Sequence, residues 1–173
     1  MKKVSEGIFV PVIRLSVIRE TDHFYYHHHV TDYEKAAELG RILLEDIDRE
    51  CLVVCCLDGK LKPLSLEKAA VGTVNECIVS MREIFKYAVL SNASYLLVFH
   101  NHPSGEAEPS EADIQMTERL REAGELMGIP VMDHIILGDR EYVSFAERFH
   151  WSKTESYDRI SERRAAYVPS QRA

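Results

Sequence analysis

The sequence predicts an α/β domain with a mixed central sheet flanked by helices. Segments with a helical period of apolar residues alternate along the chain with short apolar runs rich in β-branched residues, a pattern typical of layered α/β domains. The 173 residues are 46% hydrophobic, enough for one core and too few for two sizeable ones. We therefore expect one domain over residues 31–150, an N-terminal extension over 1–30 and a C-terminal tail over 151–173.

The extension predicts a strand followed by a connector. Residues 8–18 contain the β-branched run VPVIRLSVI, which favours a strand that begins or is interrupted at Pro11. Residues 21–33 predict a connector that includes the run of histidines 27–29. Three adjacent side chains cannot all face one centre in a regular element, so we assign these histidines to a solvated loop rather than to a metal site.

A helix and a buried strand open the domain. Apolar residues recur with a helical period as far as Ile47, and Thr31 or Asp32 is placed to cap this helix. The continuous apolar run CLVVCCL, residues 51–57, then predicts a fully buried strand.

A turn and a second helix follow. Asp58 and Gly59 favour a hairpin turn toward residues 61–64, and a further strand is expected over 69–74. A helix is predicted from a cap at Ser80 to a point before Asn92.

The last part of the domain repeats the alternation. SYLLVFH, residues 94–100, predicts a buried strand, and a loop rich in Pro and Gly leads to a helix from Ser110 to about Met127. Residues 130–137 predict another strand, and 141–145 an edge strand.

Composition excludes some classes of protein. The chain has no stretch near the roughly 18 uninterrupted apolar residues of a membrane span, and charged residues stand where a signal peptide needs an apolar run, so we expect a cytoplasmic protein. A net charge of −7 disfavours DNA as a main partner. Without C-x-x-C spacing, buried reduced thiols are favoured over metal ligands or disulfides for all four cysteines, Cys51, Cys55, Cys56 and Cys77.

The informative segment is HNHPSGEAEPSEAD, residues 100–113. Alternation along a strand sends the imidazoles of His100 and His102 to one face, and the following loop gives the chain room to bring Asp113 back to them. Three protein ligands with water in the fourth position would be a catalytic zinc site. Ser110 and Asp113 also fit a capping box, which explains both residues without a metal. However, Asp113 shares a helix face with apolar residues, and a carboxylate that faces a core needs a partner.

The same residues carry a family resemblance. His100, His102, Ser110 and Asp113 match the JAMM metalloprotease pattern His-x-His-x7-Ser-x2-Asp, and HNHPSG, PSEAD and GIPVMDHIILGD resemble RadC-like proteins. The similarity extends from about Thr31 to Phe149. It implies a cytidine-deaminase-like fold and a zinc ion held by the two histidines and the aspartate.

The resemblance also implies an upstream glutamate as general base and Ser110 as the residue that helps to stabilise the oxyanion. Glu50, just before the first core strand, is our first choice for the base, and Glu83 is the alternative. For His134 there are two alternatives, a group that supports the metal ligands from just outside the site or a core histidine with satisfied hydrogen bonds, and we favour the second. Asp133 is a candidate to orient a ligand imidazole.

Two functions from different classes remain. The first is a zinc-dependent peptidase or isopeptidase acting on a protein or peptide substrate. The second is a non-catalytic module that binds protein or nucleic acid. RadC-like proteins often carry an N-terminal helix-hairpin-helix module that resembles DNA-binding units, and about thirty residues stand in its place here. A base deaminase would need H-x-E and P-C-x-x-C, which the sequence lacks.

Overall fold

The fold is a five-stranded sheet with helices on both faces. A computed structural model of the protein describes residues 8–45, 47–72 and 80–151. The predicted division of the chain into extension, domain and tail stays a prediction, because residues 1–7 and 152–173 lie outside the described residues. The elements follow in the order α1 (Tyr33–Leu44), β1 (Cys51–Leu57), β2 (Pro63–Val71), α2 (Met81–Leu90), β3 (Tyr95–Asn101), α3 (Glu111–Met127), β4 (Val131–Leu137), β5 (Tyr142–Ser144) and α4 (Phe145–Arg148).

The sheet is mixed, as the sequence predicts. Its strand order is β2-β1-β3-β4-β5. β3 and β4 are parallel because α3 returns the chain between them, and the other three neighbouring pairs are antiparallel. No helix within the described ranges has the length and apolar character needed to cross a membrane.

Alternation along the central strands divides the apolar residues into two cores. β1 is buried along its whole length, and its odd-numbered residues, such as Val53, pack with Leu97 and Phe99 beneath α1. Its even-numbered residues, such as Leu52, pack with Val98 beneath α2 and α3. Strands that are buried on both faces consist of continuous apolar runs, and such runs predicted these strands from the sequence.

Helix α1 begins and packs as its sequence predicts. The side chain of Asp32 accepts a hydrogen bond from the Lys35 backbone N–H and caps the first turn. Gly40 faces the sheet so closely that a Cβ atom added there would lie 2.5 Å from the Phe99 ring. Glycine at this position therefore permits the close approach of α1 to β3.

Some predicted elements have different bounds. Residues 63–64 and 69–71 belong to one long strand, β2, that pairs with β1, whereas residues 61–62 precede this strand. The end of the strand predicted over 69–74 is not strand at Gly72, and residues 73–74 lie outside the described residues. Ser80 precedes α2 as predicted, but its side chain makes no capping hydrogen bond. Met127, predicted on the buried face of α3, is 47% exposed because the helix ends there at Gly128.

The predicted strand over residues 8–18 is wrong. A strand needs a neighbour for its backbone, and β2 forms that edge of the sheet without pairing with this segment. The apolar side chains that suggested a strand are exposed to solvent.

The histidine run and the cysteines agree with their predicted roles. His27 pairs with Glu38, His28 is exposed, and the His29 Nδ1 donates to the Lys60 carbonyl, so the run does not face one centre. Among the described cysteines, all are free and buried, namely Cys51, Cys55 and Cys56, whereas Cys77 lies outside the described residues.

We expect Gly40→Ala to lower the free energy of unfolding by about 1–3 kcal/mol, because the new methyl group must displace the Phe99 ring from a packed core. Urea unfolding of the two proteins measures this difference. Gly59→Ala is the matched control, since the nearest atom to its added Cβ is 3.7 Å away. Equal losses for both variants would contradict the close packing of α1 on β3.

Candidate metal centre

The register of the sheet places Glu50 and His100 together. Leu52 lies opposite His100 in the antiparallel β1–β3 pair, and Glu50 stands two residues before Leu52. Alternation along the strand therefore directs Glu50 toward the face occupied by α2 and α3. The Glu50 Oε2 lies 3.9 Å from the His100 Nε2, and both side chains are largely buried.

His100 and His102 approach each other as period-two alternation predicts. Their ring centroids are 4.8 Å apart and the rings are nearly perpendicular. His102 follows the last residue of β3, and its backbone N–H donates to the Leu137 carbonyl of β4. Its Nδ1 lies 2.9 Å from the Glu106 carbonyl and donates to it, because a carbonyl oxygen can only accept. The His102 Nε2 is therefore left facing the site.

Helix α3 delivers Asp113 to the two imidazoles. Ser110 caps the helix: its Oγ accepts from the Asp113 N–H and donates to Asp113 Oδ2 at 2.5 Å, while its N–H also donates to that oxygen. Asp113 is only 4% exposed. The capping box and the approach to the histidines are thus compatible, and Ser110 fixes the carboxylate that faces them.

The three side chains can hold a metal ion. Ligand atoms from His100, His102 and Asp113 all lie within 4.8 Å of one another. Asp113 Oδ1 is 3.1 Å from the His100 Nδ1, and Asp113 Oδ2 is 3.5 Å from the His102 Nε2. Two ligand atoms bound to one tetrahedral zinc are about 3.3 Å apart, so these spacings suit such an ion.

The buried polar atoms of His100 fit the same interpretation. Within the part of the chain that the structure describes, neither ring nitrogen of His100 has a hydrogen-bond partner that meets normal geometry. A buried imidazole without partners is costly, and a metal ion would remove that cost by accepting one nitrogen as a ligand.

Electrostatics keep the carboxylate ionised. Burial alone would raise the pKa of Asp113, but the adjacent imidazoles of His100 and His102 and the hydrogen bonds from Ser110 outweigh this effect and hold the pKa well below its ordinary value. The same contact with Asp113 raises the pKa of His102. The site therefore presents a negative charge to its two imidazoles.

The ring of His134 lies against this centre. His134 is buried, and its ring stacks on that of His100 at 6.1 Å and on that of Phe145 at 5.0 Å. The Thr117 hydroxyl donates to the Asp113 carbonyl, so it accepts the Nδ1–H of His134. Burial lowers the pKa of His134 to about 3, which keeps the ring neutral. His134 therefore lies in the core as expected, but it is not fully satisfied, because its Nε2 has no hydrogen-bond partner among the described residues. Its ring also packs against the site.

Asp133 does not orient a ligand imidazole. It neighbours His134 on β4 and therefore points to the opposite face of the sheet. Its carboxylate accepts hydrogen bonds from the Ser144 hydroxyl and the Ala146 N–H. The prediction for Asp133 was wrong because a neighbouring position in sequence means the opposite face in a strand.

The two candidates for the upstream glutamate have different surroundings. Glu50 is next to His100, with its side chain 15% exposed. The Glu83 side chain is 44% exposed and forms an ion pair with Lys86, one turn along α2. Geometry thus supports the choice of Glu50 over Glu83.

The comparison with protein families agrees with this geometry. A model of the RadC-like JAB domain matches residues 30–150, which is more than half of the chain.

Curated relatives are also similar to this chain. A "UPF0758 protein" of Pelobacter propionicus is 49% identical over 105 residues, which cover 61% of this chain and 46% of the relative. Another from Geotalea uraniireducens is 40% identical over 124 residues, or 72% and 48% of the two chains. A third from Thermotoga maritima is 43% identical over 101 residues, or 58% and 46%. The chain matches about half the length of these relatives.

We expect stability to depend on the protonation of Asp133. Burial raises its pKa from 3.8 to about 7, an effect that the hydrogen bonds from Ser144 and Ala146 only partly offset. Between these values the folded protein keeps a proton that the unfolded chain releases, so the contribution of Asp133 to stability falls as pH rises from about 4 to about 7. Unfolding free energies of wild type and Asp133→Asn, measured by urea titration at several pH values, isolate this contribution. The wild-type value should fall relative to the variant by a few kcal/mol, and parallel pH curves would contradict the prediction.

Proposed function

The chain belongs to the RadC-like JAB domain family, and from that premise we propose that it is a zinc-dependent hydrolase that cleaves a peptide or isopeptide bond. The observation that carries the proposal is the gathering of His100, His102 and Asp113, with the largely buried Glu50 beside them. JAMM proteases combine such a ligand set with an upstream glutamate, as the sequence pattern implies.

The donor set supports zinc as the metal. Two imidazole nitrogens and one carboxylate oxygen are ligands that catalytic zinc sites use, with a fourth position left for water. When bound, zinc supplies a Lewis acid and lowers the pKa of water toward about 7, which makes hydroxide available at neutral pH. Harder cations such as magnesium favour sites made of oxygen ligands alone.

Glu50 is proposed as the general base. Its carboxylate would take a proton from the attacking water and later transfer a proton to the leaving amine. As the first proton is removed, the oxygen of the water forms a bond to the carbonyl carbon. The bond from that carbon to nitrogen breaks when the amine receives its proton. Burial of Glu50 beside His100 supports this role because a base must lie within reach of the reacting water.

Ser110 is proposed to help to stabilise the oxyanion of the tetrahedral intermediate. In the structure its hydroxyl donates to Asp113, so this role requires the hydroxyl to turn toward substrate while its backbone N–H holds the same carboxylate oxygen. Ser110 is exposed, which gives substrate access to it.

For the substrate, partners and location we propose only a general class. A protein or peptide substrate follows from the proposed reaction, and a cytoplasmic location remains the expectation from sequence. A non-catalytic interaction module of the same family is the alternative, and the measurements of zinc content and of turnover together separate the two.

We expect about one zinc ion per chain in protein purified without a histidine tag or added metal. His102→Ala should lose most of this zinc because it removes one of three ligands. Elemental analysis measures the metal, and His28→Ala is the control because it removes an exposed histidine of the solvated loop. Wild type that stays empty even after incubation with zinc would overturn the hydrolase proposal and favour the interaction module.

We expect Glu50→Gln to keep its zinc and to lose at least about a hundredfold in turnover, because glutamine preserves the shape but cannot accept the proton. Cleavage of a library of peptides and isopeptide-linked peptides measures turnover. Glu83→Gln is the matched control and should cleave like wild type, since its ion pair lies on the exposed face of α2. Full activity in Glu50→Gln, or a loss in Glu83→Gln alone, would move the base away from Glu50.

A further inference from the structure

We infer that Glu141 is a positioning residue for His102 and that it acts through the loop of residues 102–107, here called the site loop. The inference rests on the proposed metal site, because it concerns which nitrogen of His102 is presented to the ion. Glu141 lies in the turn of residues 138–141 between β4 and β5, and it does not belong to the family pattern that identified the ligands.

The orientation of His102 depends on one carbonyl group of the site loop. The Nδ1–H donates to the Glu106 carbonyl at 2.9 Å, which places the proton on Nδ1 and leaves the lone pair on Nε2 toward Asp113. Without that acceptor, a neutral imidazole is free to place its proton on Nε2, where it would block binding of a metal. The direction of the Glu106 carbonyl therefore determines which nitrogen of His102 is available to bind a metal ion.

Glu141 holds the residue that follows this carbonyl. Its Oε1 accepts the Ala107 N–H at 3.0 Å, and Ala107 is fully buried against Ile136 and Phe145. The carbonyl of Glu106 and the N–H of Ala107 belong to the same peptide plane. A hydrogen bond that fixes the N–H therefore also fixes the direction of the carbonyl that His102 uses.

The turn of residues 138–141 is held in place by Arg41 and by the site loop. The guanidinium group of Arg41 on α1 donates to the Gly138 carbonyl and to the Glu141 carbonyl, both at 3.0 Å. The Asp139 N–H donates to the Gly105 carbonyl, also at 3.0 Å. A Cβ atom added at Gly138 would lie 2.3 Å from the Gly105 oxygen, so the turn and the site loop are in direct backbone contact.

The position of the Glu141 carboxylate means that its loss should affect the orientation of His102 more than the stability of the fold. Glu141 is an exposed residue, and its replacement removes no packed core. The backbone contacts of the turn with Arg41 do not depend on its side chain. Loss of the carboxylate should therefore leave the fold intact and free the peptide between Glu106 and Ala107 to rotate.

The test compares Glu141→Ala and Glu141→Gln with wild type, and Arg140→Ala is the control from the same turn. Glutamine retains the acceptor oxygen but not the charge, so it separates the hydrogen bond from electrostatics. The first readout is nitrogen-15 NMR of the His102 ring in zinc-free protein at pH 9, which reports the neutral tautomer. The second is zinc affinity by competition with a chelator, and the third is the melting temperature of the zinc-free protein.

We expect Glu141→Ala to mix the two tautomers and to weaken zinc binding about 10- to 100-fold, with little change in melting temperature. Glu141→Gln and Arg140→Ala should resemble wild type in all three readouts. The inference is overturned if Glu141→Ala keeps the wild-type tautomer, if Glu141→Gln fails as alanine does, or if the melting temperature falls in step with affinity. If wild type binds no zinc, the proposed function fails, while the tautomer measured without metal still decides the role of Glu141.

Discussion

The antiparallel pairing of β1 with β3 is the constraint on which the site depends. This pairing sets Leu52 opposite His100, and alternation along the strands then assigns every neighbouring side chain to a face. Glu50 and His100 lie on the face covered by α2 and α3, whereas Asn101 points to the other face and accepts the Cys51 N–H. A slip of one residue in this register would exchange the two faces and separate the glutamate from the histidine.

The third ligand comes from a helix, so the crossover from β3 to β4 must cover the correct face. The N-terminus of α3 follows the site loop after three residues, and Leu120 farther along the helix packs with the even-numbered core residues. This packing places Asp113 in the first turn, beside the end of β3. A buried carboxylate is tolerated there because it faces two imidazoles and Ser110, and loss of such partners would leave a buried charge uncompensated.

The sequence predicted the structure correctly where a pattern is compatible with only one arrangement of the chain. Continuous apolar runs located the central strands, and His100, His102 and Asp113 came together because strand alternation and a helix start permit little else. The failures arose where tertiary contacts decide. Residues 8–18 have strand composition but no pairing neighbour. Helix α4, which follows β5 and is capped by Ser144, is only four residues long and therefore too short to show a helical period.

The contacts that surround the three metal ligands could not be predicted from the sequence, for a different reason. Thr117 and Glu141 are separated from their partners by 17 and 34 residues, and nothing in their local sequence indicates these distant contacts. The site loop, which has neither helix nor strand to define it, takes its shape from other elements, including the two hydrogen bonds from Arg148 to Glu108 just beyond it. Because a metal ligand must be placed to within a fraction of an ångström, a loop without regular structure needs such external anchors. The residues that supply them are therefore as much part of the site as the motif that identifies it.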